Sequence, residues 1–271
     1  MKTFLYLLAV ISACFLTACA KNVNFSGEEV SPVLGVKVPT CEINMIDKPK
    51  PTNILFIVDQ SGSNLIGNNS SKVGTDPKKT FRFGIINRFL AQHGNKSHLS
   101  WNLITFAKDN SKSLVKDSGK PFTNGLAFIL QALDLFFKSK DEGNTPYRAA
   151  LATAQSLIAK NESMAKEQNT TLIAFITDGH PTDYCPGGSS SSNCPGKVLE
   201  AEIDRDVNAI IHASKGDVKF STIYYGPPDL ESTSRLERMA EIGNGQYVDL
   251  NSGSNIDLND VIQVPEKTCS N

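Results

Sequence analysis

The stretch ILFIVDQSGS at positions 54–63 decides the fold of this 271-residue chain. Its first five residues are apolar and mostly β-branched or aromatic, which predicts a parallel strand buried on both faces. The stretch turns polar at Asp59, where such a strand would end. The run TLIAFI at 171–176 predicts a second buried strand, and Asp178 follows it closely in the same way.

Helix and strand patterns alternate along most of the remaining chain. Apolar residues recur at helical spacing in four segments, at 126–133, 147–158, 199–211 and 230–242. Further strand patterns lie at 100–107, 218–225 and 246–250. The alternation predicts an α/β fold with a doubly wound, mostly parallel central sheet that is flanked by helices on both faces.

The segment after Ser63 departs from an immediate strand-to-helix turn. Residues 64–71 have the composition of a loop, and a helix start is predicted only at Asp76-Pro77. Asp76 would be the N-cap and Pro77 the first helical residue. This helix should end near His93, because Gly94 follows it. An inserted loop is therefore expected at the end of the first strand.

Oxygen-bearing side chains gather at the predicted strand ends and loops. Asp59 and Asp178 follow the two buried strands, Ser61 and Ser63 lie in the turn after the first strand, and Thr145 opens a helix. Ligands bind beyond the carboxyl ends of strands in open α/β sheets, so these side chains should face one point. Two carboxylates and three hydroxyls are hard-oxygen donors, which suit Mg²⁺ with a coordination position left for an outside carboxylate. Mn²⁺ or Ca²⁺ is an alternative ion.

These residues resemble the metal-ion-dependent adhesion site of the von Willebrand factor A domain. The family motif D-x-S-x-S is met by Asp59, Ser61 and Ser63. The family threonine is met by Thr145 in Gly-Asn-Thr-Pro, and its second aspartate by Asp178 in Thr-Asp-Gly. The resemblance implies a Rossmann-like fold, a bound divalent ion, and a protein ligand that offers an acidic side chain to that ion. It also implies a role within the family's range, which includes adhesion and the assembly of surface structures.

The resemblance covers residues 52–264, which we predict to be the A domain, and leaves a tail at 265–271. Two features depart from the family pattern. One is the insertion at 64–75, and the other is the loop between Cys185 and Cys194. Neither removes a predicted ligand, but both are expected to narrow the access to the ion.

Other function classes find less support. With 27 Lys+Arg and 28 Asp+Glu the net charge is -1, so no basic surface for nucleic acid is expected. The Gly-x-Ser-x-Gly motif of serine hydrolases fails, because Asp59 and Ser63 stand at its glycine positions. His180 is predicted to be a solvated loop residue, and a metal-assisted hydrolase that uses it is one alternative. A metal-independent structural or assembly factor is another. We expect a binding protein and no enzyme.

The N-terminus has the pattern of an export signal. Residues 1–3 carry a charge, and the apolar run at 4–16 is too short to span a bilayer. Leu-Thr-Ala-Cys at 16–19 resembles the bacterial lipobox, which implies a signal peptide at 1–18 and a lipid on Cys19, palmitate included. Ordinary cleavage after Ala20 and lipidation at Cys14 are the alternatives.

The segment at 19–51 is polar and contains several prolines, so it would tether the domain to a membrane through the lipid. Ala20 follows the lipid-bearing cysteine where an aspartate would signal retention, and by resemblance to known sorting rules this favours the outer membrane. Whether the domain faces the periplasm or the cell surface stays open.

Four further cysteines in an exported chain suggest two disulfides. Cys185 and Cys194 flank one polar loop, and Cys41 and Cys269 lie outside the two ends of the predicted domain. We favour these two pairs. Zinc ligation by the 185–194 segment is a weaker alternative, because its spacing matches no common zinc motif.

Overall fold

The computed structural model describes residues 49–65, 73–186, 198–252 and 256–265. All of them belong to one compact unit. Cys185 is buried and disulfide-bonded. The residues Cys14, Cys19, Cys41, Cys194 and Cys269 lie outside the described ranges, so the lipidation site and both disulfide pairings stay predictions. None of the helices within these ranges combines the length and the apolar character that a membrane crossing requires.

A six-stranded sheet lies at the centre of the described unit. Its strands are β1 (Thr52–Asp59), β2 (Leu99–Ala107), β3 (Asn110–Ser113), β4 (Thr170–Thr177), β5 (Val218–Tyr224) and β6 (Asn244–Asp249). They are ordered β3-β2-β1-β4-β5-β6, and only the β2–β3 pair is antiparallel. The winding reverses between β1 and β4, which is the place where doubly wound sheets bind ligands. The predicted fold class is confirmed.

Helices cover both faces of this sheet. They are α1 (Thr80–His93), α2 (Leu126–Lys138), α3 (Tyr147–Met164), α4 (Glu200–His212), α5 (Leu230–Ile242) and α6 (Leu258–Val261), with short 3₁₀ turns at Gly62–Asn64 and Leu250–Ser252. Core residues of α1, α2 and α6 pack with Ile54 and Phe56 of β1, and those of α3, α4 and α5 pack with Leu55 and Ile57. Successive β1 residues thus enter opposite cores, which explains the unbroken apolar run in its sequence.

The start of α1 corrects the sequence-based prediction. The helix begins at Thr80, and not at Asp76-Pro77, because Lys79 has a left-handed backbone with φ of 56°. The Lys79 ammonium group holds this conformation by donating to the main-chain oxygen of Phe136 at 2.8 Å. Asp76 still acts on the first turn, since its carboxylate accepts from the main-chain N–H of Arg82 at 3.1 Å. The predicted end at His93 is confirmed.

Candidate metal centre

The carboxyl ends of β1 and β4 bring the two predicted aspartates to one edge of the sheet. Asp59 is the last residue of β1, and Asp178 directly follows β4. The two strands pair in parallel, with Val58 opposite Ile176, so both chains leave the sheet side by side. Both aspartates are buried, with 0% and 4% of their surface exposed. Both aspartates therefore lie at the predicted carboxyl edge of the sheet, at the ends of the two strands between which its winding reverses.

Hydrogen bonds join four of the five predicted residues into one chain. The main-chain N–H of Ser61 donates to Asp59 Oδ1 at 2.7 Å. The hydroxyls of Ser61 and Ser63 lie 3.0 Å apart, and the Ser63 hydroxyl donates to Asp178 Oδ1 at 2.9 Å. The turn after β1 thus bridges the two strand ends through its serine hydroxyls.

Thr145 reaches the same place from the connection between α2 and α3. A methyl group added to Gly179 would lie 3.9 Å from the Thr145 hydroxyl oxygen, which sets that oxygen beside the residue after Asp178. Two hydrogen bonds with Thr182 hold the Thr145 backbone, at 3.0 and 3.1 Å. In the described part of the chain, the Thr145 hydroxyl makes no hydrogen bond to the other four predicted residues.

Three more side chains hold the carboxylates. The Thr177 hydroxyl donates to Asp59 Oδ2 at 2.6 Å, and the Asn64 amide approaches Asp59 Oδ1 at 3.4 Å. The Thr75 hydroxyl donates to Asp178 Oδ2. None of these three residues belongs to the five positions predicted from the sequence. A threonine directly before the second aspartate was a usable signal for Thr177, but no sequence pattern connects Thr75 with Asp178.

The two aspartates lack an ion-pair partner within the part of the chain that the structure describes. Among the described residues, no Lys, Arg or His side chain forms an ion pair with either of them. Burial raises the pKa of Asp59, and burial together with the nearby charge of Asp59 raises the pKa of Asp178 to about 7. The guanidinium of the nearby Arg82 forms its ion pairs with two other carboxylates, Asp76 at 3.0 Å and Asp141 at 2.8 Å.

This donor set fits a small divalent cation. The Ser63 hydroxyl donates its proton to Asp178, which leaves lone pairs on its oxygen for a metal. Oxygen donors of this kind suit Mg²⁺, and a bound cation would give the two carboxylates the ion partner that they lack among the described residues. No group of three or more His, Cys, Asp or Glu side chains suited to a metal occurs within the described ranges. The candidate site depends on hydroxyls in addition to its two carboxylates.

A fully buried arginine lies beneath the site and connects the segments that form it. Arg82 donates to the main-chain oxygen of Asp59 at 2.6 Å. Its ion pair with Asp76 reaches the segment that carries Thr75, and its ion pair with Asp141 reaches the connection that carries Thr145. One guanidinium thus contacts three segments that are distant in sequence.

His180 is more constrained than a solvated loop residue. Its Nε2 lies 2.8 Å from Asp229 Oδ2, and the Arg235 guanidinium lies 3.3 Å from its Nδ1. Arg235 is in turn paired with Glu200 at 2.7 Å. Asp229 and Arg235 thus engage both ring nitrogens of His180, away from the carboxylates of Asp59 and Asp178. About half of the His180 side chain is exposed.

Comparison with known proteins supports the fold. No family model matches the chain, and no curated protein matches it. The chain shares its fold with the pilus adhesin SpaC of Lactobacillus rhamnosus GG in its open conformation. That match has a TM-score of 0.53 and 14% identity, and it covers 75% of this chain but only 28% of SpaC.

Two other solved structures are similar at lower scores. The manganese-loaded TRAP protein of Plasmodium vivax has a TM-score of 0.49 at 18% identity, with 75% of this chain and 70% of that chain covered. A von Willebrand factor type A structure from Catenulispora acidiphila has a TM-score of 0.49 at 14% identity, with 73% and 38% covered. At 14% identity, the likeness to SpaC establishes the fold and nothing about the ligand.

Proposed function

We propose that this chain is a lipid-anchored protein of the bacterial cell envelope, with a von Willebrand factor A domain that binds a protein partner through a divalent metal ion. The hydrogen-bonded chain that runs from Asp59 through Ser61 and Ser63 to Asp178 is the observation that carries the proposal. It links four of the five positions that resemble an adhesion motif, and the fifth, Thr145, lies beside Gly179 in the crevice where doubly wound sheets bind ligands.

In the proposed site the two carboxylates supply the charge and the three hydroxyls supply neutral oxygens. Thr177 keeps the Asp59 carboxylate oriented, because its hydroxyl donates to Oδ2 while the main-chain N–H of Ser61 donates to Oδ1. Mg²⁺ is the expected ion, with Mn²⁺ or Ca²⁺ as alternatives, and it would supply an electrophilic position for an acidic side chain of the partner. The role that follows is adhesion or assembly, without catalysis.

The proposed place of the protein is the outer membrane, through lipid on Cys19. One acyl chain gives only marginal membrane attachment, so a stable anchor needs the several chains of a bacterial lipoprotein. The export signal at 1–18 and the tether at 19–51 support this arrangement. The fold is one that a pilus adhesin also carries, which agrees with a role at the cell envelope.

Partner capture should depend on a divalent ion. Envelope extract passed over the immobilised protein in Mg²⁺ should yield a bound protein that chelator releases and fresh Mg²⁺ restores, with at least a roughly tenfold difference in yield. The immobilised Asp59→Asn variant should not capture this protein. The Asp134→Asn variant, which changes an exposed carboxylate on α2, should still capture it. A partner that stays bound in chelator and to Asp59→Asn would instead identify a metal-independent assembly factor.

The stability of the metal-free protein should fall as the pH rises from 4 to 8. The pKa of Asp178 is raised to about 7, so the folded state binds this proton more tightly than the unfolded state does. The stability gained from that proton is fully present below the unfolded pKa of about 4 and is lost as the pH rises through 7, with a size on the order of 2–4 kcal/mol.

Added Mg²⁺ should reverse this loss, because the ion binds the deprotonated carboxylate. The increase in melting temperature caused by excess Mg²⁺ should therefore be larger at pH 8 than at pH 5. Thermal unfolding with chelator and with Mg²⁺ at both pH values measures it. Asp178→Asn should remove the Mg²⁺ effect and the part of the pH dependence that comes from the Asp178 proton. An equal Mg²⁺ shift at the two pH values contradicts the assignment.

A further inference from the structure

Thr75 adds to the site a hydroxyl that the five-residue motif does not contain. It donates to Asp178 Oδ2, while the Ser63 hydroxyl donates to Asp178 Oδ1 at 2.9 Å. Each oxygen of this carboxylate is therefore held by a hydroxyl from a different segment. Such paired contacts fix the rotation of the carboxylate about its terminal bond as well as its position.

The backbone around Thr75 is built to hold this contact. Residues 63–65 and 74–76 form a neck, in which Gly74, Thr75 and Asp76 donate main-chain hydrogen bonds to Leu65, Ser63 and Asn64 at 3.2 to 3.3 Å. A methyl group on Gly74 would lie 2.3 Å from the Asn64 main-chain oxygen, so only glycine allows the two sides to approach this closely. The neck places Thr75 next to the serine turn of the site.

The neck is anchored below by a buried ion pair. Asp76 is 3% exposed and pairs with Arg82 at 3.0 Å, and it also accepts from the first turn of α1. Thr75, which directly precedes Asp76, is exposed, and its hydroxyl donates to Asp178. Its orientation is thus set by a rigid neighbour, and its own side chain fills no core volume.

We propose that Thr75 is a positioning residue of the metal centre. Together with the Ser63 hydroxyl, its hydroxyl fixes the orientation of the Asp178 carboxylate. This inference rests on the proposed metal function. Groups that orient a metal ligand through a hydrogen bond commonly change metal affinity by about 10- to 100-fold when they are removed. The insertion after β1 therefore contributes to the metal site through its neck.

Calorimetric titration of the full-length protein with Mg²⁺ and with Mn²⁺ tests the role of Thr75. Thr75→Val keeps the shape of the side chain and removes the hydroxyl, and it should raise the metal Kd by about 10- to 100-fold. Thr75→Ser restores the hydroxyl and should bind within about threefold of the unsubstituted protein, on the same reasoning. A merely structural role of the side chain would not produce this rescue.

Thr123→Val is the matched control. The Thr123 hydroxyl also donates to an aspartate, Asp117 Oδ2 at 2.7 Å, but away from the site. This control should leave the metal Kd unchanged even if it lowers the melting temperature. A Thr75→Val protein that binds metal as tightly as the unsubstituted protein overturns the inference alone. An unsubstituted protein that is folded and binds neither ion overturns the proposed metal function together with it.

Discussion

Asp59→Asn should abolish binding of Mg²⁺ and Mn²⁺ and leave the protein folded. The change removes one of two carboxylate charges from a site whose remaining predicted donors are Asp178 and three neutral hydroxyls, so at least an approximately 100-fold loss of affinity is expected. The side chain keeps its shape, and its remaining oxygen can still accept from the main-chain N–H of Ser61. The serine turn should therefore retain its conformation.

The loss of metal binding in Asp59→Asn should not be accompanied by a loss of stability. Asp59 is fully buried and its pKa is raised by that burial, so the metal-free protein above neutral pH carries an unfavourable buried charge. Asn removes this charge, and the metal-free variant should be at least as stable as the unsubstituted protein at pH 8. Thermal unfolding in chelator measures stability, and calorimetry with each ion measures binding.

Asp117→Asn provides the matched control for this experiment. Asp117 is also buried and also accepts from a threonine hydroxyl, but it lies outside the candidate site. The control should bind metal with unchanged affinity. If Asp59→Asn and Asp117→Asn both bind like the unsubstituted protein, the metal is not held by Asp59. If Asp59→Asn loses binding only because it unfolds, the expectation that asparagine preserves the serine turn is wrong.

The sequence was sufficient to predict the parallel strands of the sheet and the meeting of Asp59 and Asp178 at one edge, because both depend on local patterns. The run before Asp59 is apolar without interruption, since β1 is buried on both faces, and a polar residue then marks the strand end. The same pattern repeats before Asp178. Parallel strands end at a common edge, so two such patterns place the two carboxylates together without any knowledge of side-chain contacts.

Features that depend on distant contacts could not be predicted in this way. β3 is polar throughout and pairs with β2 alone at the edge of the sheet, so its sequence carries no buried apolar alternation. The helix α1 starts later than its sequence predicts, because Asp76 accepts from the first turn without belonging to the helix, and because Lys79 donates to Phe136, which lies 57 residues away. The contact of Thr75 with Asp178 spans 103 residues.

Arg82 also depends on distant contacts, because it joins segments that are far apart in sequence. Arg82→Met should destabilise the protein by about 3–5 kcal/mol. The methionine fills part of the space but cannot pair with Asp76 or Asp141, which are only 3% and 4% exposed. Both would become buried carboxylates without their arginine partner, although Lys79 remains 3.2 Å from Asp141. Urea unfolding in chelator, with a comparison of midpoints at constant slope, measures the change.

Arg238→Met is the control that separates the effect of burial from the loss of an arginine–aspartate pair. Arg238 also pairs with an aspartate through two nitrogens, at Asp204, but its side chain is 60% exposed. Exposed pairs of this sort contribute little, so the control should unfold close to the unsubstituted protein. Equal effects of the two substitutions would contradict the role given to Arg82. Because Arg82 contacts the Asp59 main chain and the segments of Thr75 and Thr145, a folded Arg82→Met protein should also bind metal more weakly, whereas Arg238→Met should not.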